Sequence, residues 1–259
     1  MTITVTSLRH SIHPNPEGPD LITVLARYPR FIHSELMTYR VFSRNASSSR
    51  AVPVMRLIRD VLDDPAVPVE WGSNRPGMQA GEALTGWRLW SVRTAWFTAM
   101  YVAVAMAWVA AKAGAHKQVV NRIIEPWSHI TVVISSTEWQ NFFDQRCHPD
   151  ADPTMRVLAE EIRAAINRNP FWRRIRVGEW HTPFSKDGDL VEDVACCART
   201  SYLNHDGVKS SRKKDAALFD MLNRKRHLSP FEHQATPVND HSGRGNLGPW
   251  WVQQRQQIE

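Results

Sequence analysis

Period-two alternation of apolar and polar residues opens the chain over 2–8 (TITVTSL) and recurs over 21–28 (LITVLARY), predicting two strands. Pro14, Pro16, Gly18 and Pro19 mark the turn between them. From 30 to 43 the pattern reads as a helix that delivers a loop rich in arginine and serine. Pro53 starts a second helix, with Val54, Leu57, Ile58, Val61 and Leu62 at helical spacing. After a Pro/Gly-rich loop over 63–79, a long helix is predicted over 81–113, with Gly114 as its stop. Helical pattern resumes at 117–125, HITVVIS (129–135) reads as a strand, and 138–146 and 153–168 read as helices. Between 169 and 190 periodicity dissolves into Pro, Gly, Trp and charge, as in a linker or surface excursion, and 191–236 holds two further helical stretches. This order predicts an α+β fold, a mixed sheet with long helices. It divides into a core over 1–168, a linker over 169–190 and a segment over 191–259 packed into the same domain.

The stretch from Thr94 to Ala111 complicates this picture, because its 18 uncharged residues reach the lower limit for a membrane span. Its alanines put small residues on every side, and Lys112, His116 and Lys117 follow at once. We read a buried helix packed against other helices or another subunit, not a membrane helix. With 42% hydrophobic residues in 259, a sizeable core is expected and disorder is not. Lys plus Arg exceed Asp plus Glu by 32 to 26, a net +6 that favours anionic partners: nucleic acid, nucleotides, phosphorylated cofactors or acidic headgroups. Cys147, Cys196 and Cys197 show no Cys-x-x-Cys spacing, and no basic-then-apolar leader opens the sequence. A cytoplasmic location is expected.

Candidate chemistry sits in four places. YRVFSRNASSSRA (39–51) carries three arginines and four serines between Arg40 and Arg50. Hydroxyls and backbone N–H groups give neutral donors and guanidinium gives charge, as a phosphate needs, although a solvated serine-rich turn has the same composition. In RHLSPFEHQATP (226–237), Ser229, Pro230 and Glu232 have the spacing of a capping box, which predicts a helix N-terminus behind His227 that suits a flavin or nucleotide phosphate. His227, Glu232 and His233 lack zinc spacing and a third ligand, so no metal is expected. STEWQNFFDQR (136–146) places Asn141 and Arg146 near a helix end, and RIIEP (122–126) begins with Arg122. Taken singly, both are ordinary surface features.

Taken together, these stretches resemble the flavin-dependent thymidylate synthase family, particularly its phage-type branch. The family's hallmark is Arg-His-Arg, seven residues and then Ser; here Thr38-Tyr39-Arg40 is followed by VFSRNAS and Ser48, with Arg50 two residues on. HLSPFEH, ARTSYL (198–203), RIIEP and NFFDQR (141–146) extend the resemblance over most of the chain. The order differs from the family's, because the arginine motif comes first here and the other two flavin stretches come last. That order looks like a circular permutation bridged by 169–190, with 191–259 matching the family's N-terminal flavin-binding part.

The resemblance implies FAD as cofactor, with NADPH and methylenetetrahydrofolate as co-substrates, and conversion of dUMP to dTMP in a homotetramer whose sites are shared between subunits. Carried over position by position, it implies flavin contacts from Ser201, His227, Thr38, Tyr39, Arg40 and Asn141. It implies nucleotide contacts from Glu35, Ser48, Arg50 and Arg122, and makes Arg146 the residue against the pyrimidine, where it stabilises charge as C5 becomes nucleophilic. The cytoplasm would be a host cell's if the gene is phage-encoded. Thr38 and Tyr39 replace Arg and His, removing a flavin contact and a charge. Ala46 replaces a glutamate, Glu35 stands where glutamine is common, and Thr137 and Trp139 replace Asn and Arg.

Two rivals follow from the same residues. One keeps the fold and takes dCMP or another pyrimidine nucleotide, methylated or hydroxymethylated for phage DNA modification. The other is a non-catalytic, basic, tryptophan-rich nucleic-acid-binding protein. Its 11 tryptophans do not alternate with basic residues, which argues for core and interface roles and against nucleic acid.

Overall fold

The computed structural model describes residues 2–168, 172–201 and 210–259. Strands β1 (Thr4–Ile12) and β2 (Leu21–Pro29) pair antiparallel, as their alternation predicts. After the one-turn helix α1 (His33–Leu36), the short β3 (Ser43–Ala46) leads to α2 (Val54–Asp63), α3 (Gly86–Lys112) and α4 (Lys117–Ile123). β4 (His129–Ser136) then returns between β2 and β3, antiparallel to both. α5 (Gln140–Arg146) and α6 (Pro153–Arg168) follow, and β5 (Trp172–Arg174) joins the free edge of β1 in parallel. The result is a mixed five-stranded sheet of order β3-β4-β2-β1-β5. α7 (Leu190–Ala198), α8 (Arg212–Arg224), the strand pair β6 (Ala235–Pro237) and β7 (Trp251–Gln253), and α9 (Gln254–Ile258) complete an α+β fold.

Because strand side chains alternate, the sheet has two unlike faces. Ile22, Val24, Ala26 and Tyr28 of β2 and Ile130, Val132 and Ile134 of β4 pack against Met155, Leu158, Ala159 and Ile162 of α6. Each such aliphatic side chain, fully buried, contributes about 1.5–3 kcal/mol. On the opposite face the register sets Thr23 across from Ser135 and Arg27 across from Thr131. Here a polar seam runs through the interior. Ser11 Oγ and His181 Nδ1 are 2.8 Å apart, His181 Nε2 and Thr23 Oγ1 2.8 Å, Thr23 Oγ1 and Ser135 Oγ 2.6 Å, and Ser135 Oγ and His233 Nδ1 2.8 Å. Burial keeps both imidazoles neutral, pushing His233 down to about 3 and His181 well below the ordinary histidine value. The seam fastens the segments that carry His181 and His233 to the sheet.

Beside it, the buried Asp193 carboxylate accepts from the Phe184 and Ser185 N–H groups at 2.6 and 2.7 Å and from Gln234 Nε2 at 2.6 Å. Burial outweighs these bonds and raises its pKa to about 6.

The structure departs from the sequence reading at several points. The helix expected over 30–43 is a 3₁₀ turn, Arg30–Ile32, followed by the four residues of α1. Phe42 turns inward onto Trp139 and Phe142, and the chain must then extend so that Ser43–Ala46 can pair with β4. Tertiary pairing overrides local pattern there. The long helix starts at Gly86, not 81, because residues 71–84 fold back on themselves with Gly72 bridged to Ala83. The stretch expected as a linker adds β5 to the sheet and buries Ile175, His181, Thr182 and Ser185.

α3 is not buried within this chain. One flank, with Met100, Ala107, Phe97 and Val104, packs with Leu57, Val61 and Val120 of α2 and α4. Trp87, Trp90, Tyr101, Val102, Met106 and Val109 are exposed, and only 11% of the most apolar window is buried. By length and apolarity alone the helix could cross a membrane.

Candidate functional site

β3 presents Ser43 and Asn45 to the polar face, and Asn45 is where the candidate stretches meet. Its side-chain amide donates to the Cys197 carbonyl and lies 3.5 Å from Thr200 Oγ1, while Ser229 Oγ donates to Asn45 Oδ1 at 3.2 Å. Thr200 Oγ1 in turn donates to the Cys197 carbonyl at 2.6 Å. VFSRNAS, the ARTS portion of ARTSYL and HLSPFEH, far apart in sequence, therefore share one junction. Gln253 Nε2 braces it by donating to Ser43 Oγ at 3.0 Å and to the Glu232 carbonyl at 2.6 Å.

Ser229–Glu232 forms a single 3₁₀ turn, so the expected helix N-terminus is absent. The capping box is not made either: Ser229 turns to Asn45, and the Glu232 carboxylate pairs with Arg255. The residues the resemblance assigns to a flavin are distributed as follows. His227, Arg40, Thr38 and Asn141 are exposed, and Thr38 Oγ1 donates to the Glu35 carbonyl at 2.7 Å. Tyr39 is half-buried, stacked on Phe42 at 5.7 Å. Ser201 closes the 3₁₀ turn Arg199–Ser201; its side chain, with Tyr202 and Leu203 of ARTSYL, lies outside the described residues. Outward-facing guanidinium, imidazole and amide groups are a donor set that suits a diphosphate and flavin ring heteroatoms.

The arginine and serine loop is pinned from beneath. Ser47 Oγ accepts the Thr131 N–H at 3.0 Å, Ser49 Oγ donates to Glu125, and the Asn121 amide donates to the carbonyls of Ser49 and Val52 at 2.7 and 2.9 Å. This leaves Arg50 and Arg122 at the surface and Ser48 half-buried. Under the loop is a cavity of about 370 Å³, lined by Arg27, Arg30 and His129 but also by Asp60, Asp63 and Asp64. Arg27 pairs with Asp64 at 2.9 Å, and burial, with Arg27, pushes His129 down to about 4 against the pull of Asp64.

A second cavity, about 710 Å³, lies at the C-terminal end of α5. Arg146, the last residue of that helix, sits with Nη1 3.3 Å from Glu35 Oε2 and its guanidinium 5.4 Å from the Tyr39 ring centroid. Its buried Nε has no partner among the described residues. The fold-back over 71–84 forms one wall, where Arg75 donates to the Gln79 carbonyl at 3.1 Å and to its side chain at 2.5 Å. Burial raises the Glu35 pKa and Asp152 adds to the effect, with Arg146 opposing both.

The fold thus brings Glu35, Tyr39 and Arg146 together, and separately gathers at Asn45 three of the stretches that carry the family resemblance. Ser48, Arg50 and Arg122 line neither of these two cavities. Burial raises the pKa of all three thiols, Cys196 to about 11, Cys197 well above the usual thiol value and Cys147 upward, which disfavours a thiolate at each. Sequence reasoning missed Asn45, because the four residues of β3 are too few to show a period. It also missed Arg75 and Gln79, which only the fold-back carries to the cavity that Arg146 lines.

No protein-family model and no curated protein matches the chain. Two solved structures of PolB from Streptomyces cacaoi, described as a UMP/dUMP methylase and bound with 5-Br dUMP or 5-Br UMP, share its fold. They have TM-scores of 0.51 and 0.50 and are 17% and 16% identical, over 64% of this chain and 90% and 89% of theirs. The α+β architecture, with its mixed sheet and long helices, is one that a nucleotide methylase also uses.

Proposed function

We propose that the protein transfers a one-carbon unit to C5 of a pyrimidine nucleoside monophosphate in a flavin-dependent reaction, with methylenetetrahydrofolate as carbon donor and NADPH as reductant. The Asn45 junction carries this reading, because three stretches that resemble flavin-site motifs of one family converge on a single side chain. The fold shared with a UMP/dUMP methylase supports it. By resemblance the default nucleotide is dUMP and the product dTMP.

In this reading Arg40, Asn141, His227 and Ser201 hold the FAD, which when bound and reduced supplies the hydride that completes the methyl group. Ser48, Arg50 and Arg122 hold the phosphate. Arg146 stabilises negative charge on the pyrimidine oxygen as C5 attacks, through the guanidinium that lines the cavity at the end of α5. A single chain leaves the exposed Arg50 and Arg122 outside the Arg146 cavity, and α3 has an uncovered apolar surface. Both features support a homotetramer whose sites combine residues of several copies, and the motif order supports a permuted member of the family.

The test is tritium release from a C5-labelled pyrimidine nucleotide by protein supplied with FAD, NADPH and methylenetetrahydrofolate. Release is expected, and Arg146→Ala should lower it about 100-fold or more while retaining bound flavin. Loss of flavin in proportion to turnover would remove Arg146 from its assigned role. A protein that takes up no flavin would sink the reading as a whole.

A further inference from the structure

The Glu35 carboxyl lies beside Arg146 on the cavity wall, and its hydrogen-bonding chemistry separates the two pyrimidine bases. At N3 and C4, uracil presents an N–H donor and an oxygen acceptor, whereas cytosine presents a nitrogen acceptor and an amino donor. An amide side chain complements uracil, its oxygen accepting from N3–H and its NH₂ donating to O4. A carboxyl group that shares a proton with the base complements cytosine: one oxygen accepts from the N4 amino group and the proton bridges the other oxygen to N3. Against uracil, an ionised carboxylate takes N3–H but turns its second oxygen onto O4, two acceptors face to face, and a protonated one reaches both atoms but shares its proton with O4, a far weaker base than cytosine N3.

From the position of this carboxyl beside Arg146 we infer that the cavity reads cytosine, and that the preferred nucleotide is deoxycytidine 5′-monophosphate. This rests on the proposed function, which it narrows from a pyrimidine to one base. Glu35 Oε2 lies 3.3 Å from Arg146 Nη1, so a base that contacts the arginine through one edge meets the carboxyl with the next. The site needs one proton, and the surroundings favour keeping it. Burial and Asp152 raise the Glu35 pKa, with Arg146 opposing. The remaining charges on the cavity wall include Asp150, Arg75, and Arg156 with Glu70. Arg156 is engaged with Glu70 at 2.8 Å and Arg75 with Gln79, leaving Arg146 as the guanidinium that faces Glu35.

The test is calorimetric titration of the flavin-loaded protein with dCMP and with dUMP at pH 6 and pH 8, repeated on Glu35→Gln. The wild type should bind dCMP about tenfold or more tightly than dUMP at pH 6, because a mismatched base leaves polar groups unpaired. The preference should shrink at pH 8, where proton uptake opposes binding. In Glu35→Gln the preference should invert, since the amide complements uracil. Tighter wild-type binding of dUMP, or an unchanged ratio in the variant, overturns the inference and leaves the pyrimidine-nucleotide reading intact. If neither nucleotide binds wild type or variant, both fall together.

Discussion

The two faces of the sheet are made from the same strands and stabilised in different ways. Ile22, Val24, Ala26 and Tyr28 of β2 and Ile130, Val132 and Ile134 of β4 meet the apolar stripe of α6, where the stabilisation is chiefly area removed from water and is indifferent to pH. The odd-numbered positions include Thr23, Arg27, His129, Thr131 and Ser135, and meet imidazoles and carboxylates brought in from distant segments. One face makes the fold; the other carries the Asn45 junction and the buried titratable groups. Polar burial of this kind is stable only when each group has its partner, so this face responds to single atoms and to protons.

The largest contrast should come from Leu158→Ala, which opens a cavity against the apolar face. It should cost about 2–5 kcal/mol and lower the urea midpoint as one cooperative transition. Thr23→Val keeps the volume but leaves His181 and Ser135 each short of a partner, for about 1–3 kcal/mol. Its loss should be local, with residues 172–201 and 210–259 becoming protease-sensitive before the rest. A purely global drop would mean that the two faces do not act separately.

Proton linkage gives a smaller and more specific difference. Asp193 has a folded pKa near 6 against an ordinary 3.8, so its favourable contribution is complete below about pH 3.8 and is lost as pH rises through 6. Wild type should therefore lose stability relative to Asp193→Asn between pH 4 and 6, by a few kcal/mol at most. His181 and His233 act in the opposite sense, since their unfolded forms take up protons below about pH 6.5 that the folded forms refuse, but that contribution is common to both proteins and cancels. The asparagine can be accommodated because Gln234 Oε1 has no partner among the described residues, so an amide flip turns it towards the new NH₂. The smallest effect belongs off the sheet. Val102→Glu on the open side of α3 should change chain stability by about 0.5 kcal/mol or less, yet shift the sedimenting species to smaller size if α3 is where copies meet.

Much of this was legible in the sequence. β2, β4 and α6 were readable because each sustains one period over eight or more residues, and their observed limits fall within a residue or so of those expected. β3 and β5 have four and three residues, too few to show a period, and are strands only because a neighbour supplies the pairing. The composition of α3 announced an apolar surface without saying whether this chain covers it. The motif residues were legible as types, but Glu35 and Arg146 are 111 positions apart and nothing local to either predicts their ion pair. Likewise Asn45 looked like one more polar residue in a serine-rich loop until β3 pairing turned it towards Thr200 and Ser229.

The polar seam also has a consequence for the order of events in a newly made chain. His181 bonds to Thr23 from 158 positions away and His233 to Ser135 from 98, so neither contact is available until most of the sequence has emerged. Hairpin contacts of β1 with β2 and the packing of α6 need no such wait, and contacts of long sequence separation form slowly. Synthesis therefore passes through a stage in which the apolar face is already closed and the junction at Asn45 does not yet exist. Cofactor capture, in the proposed reading, is the last step of maturation, and pulse-labelled hydrogen exchange during refolding should find the amides around His181 and His233 protected after β1, β2 and α6.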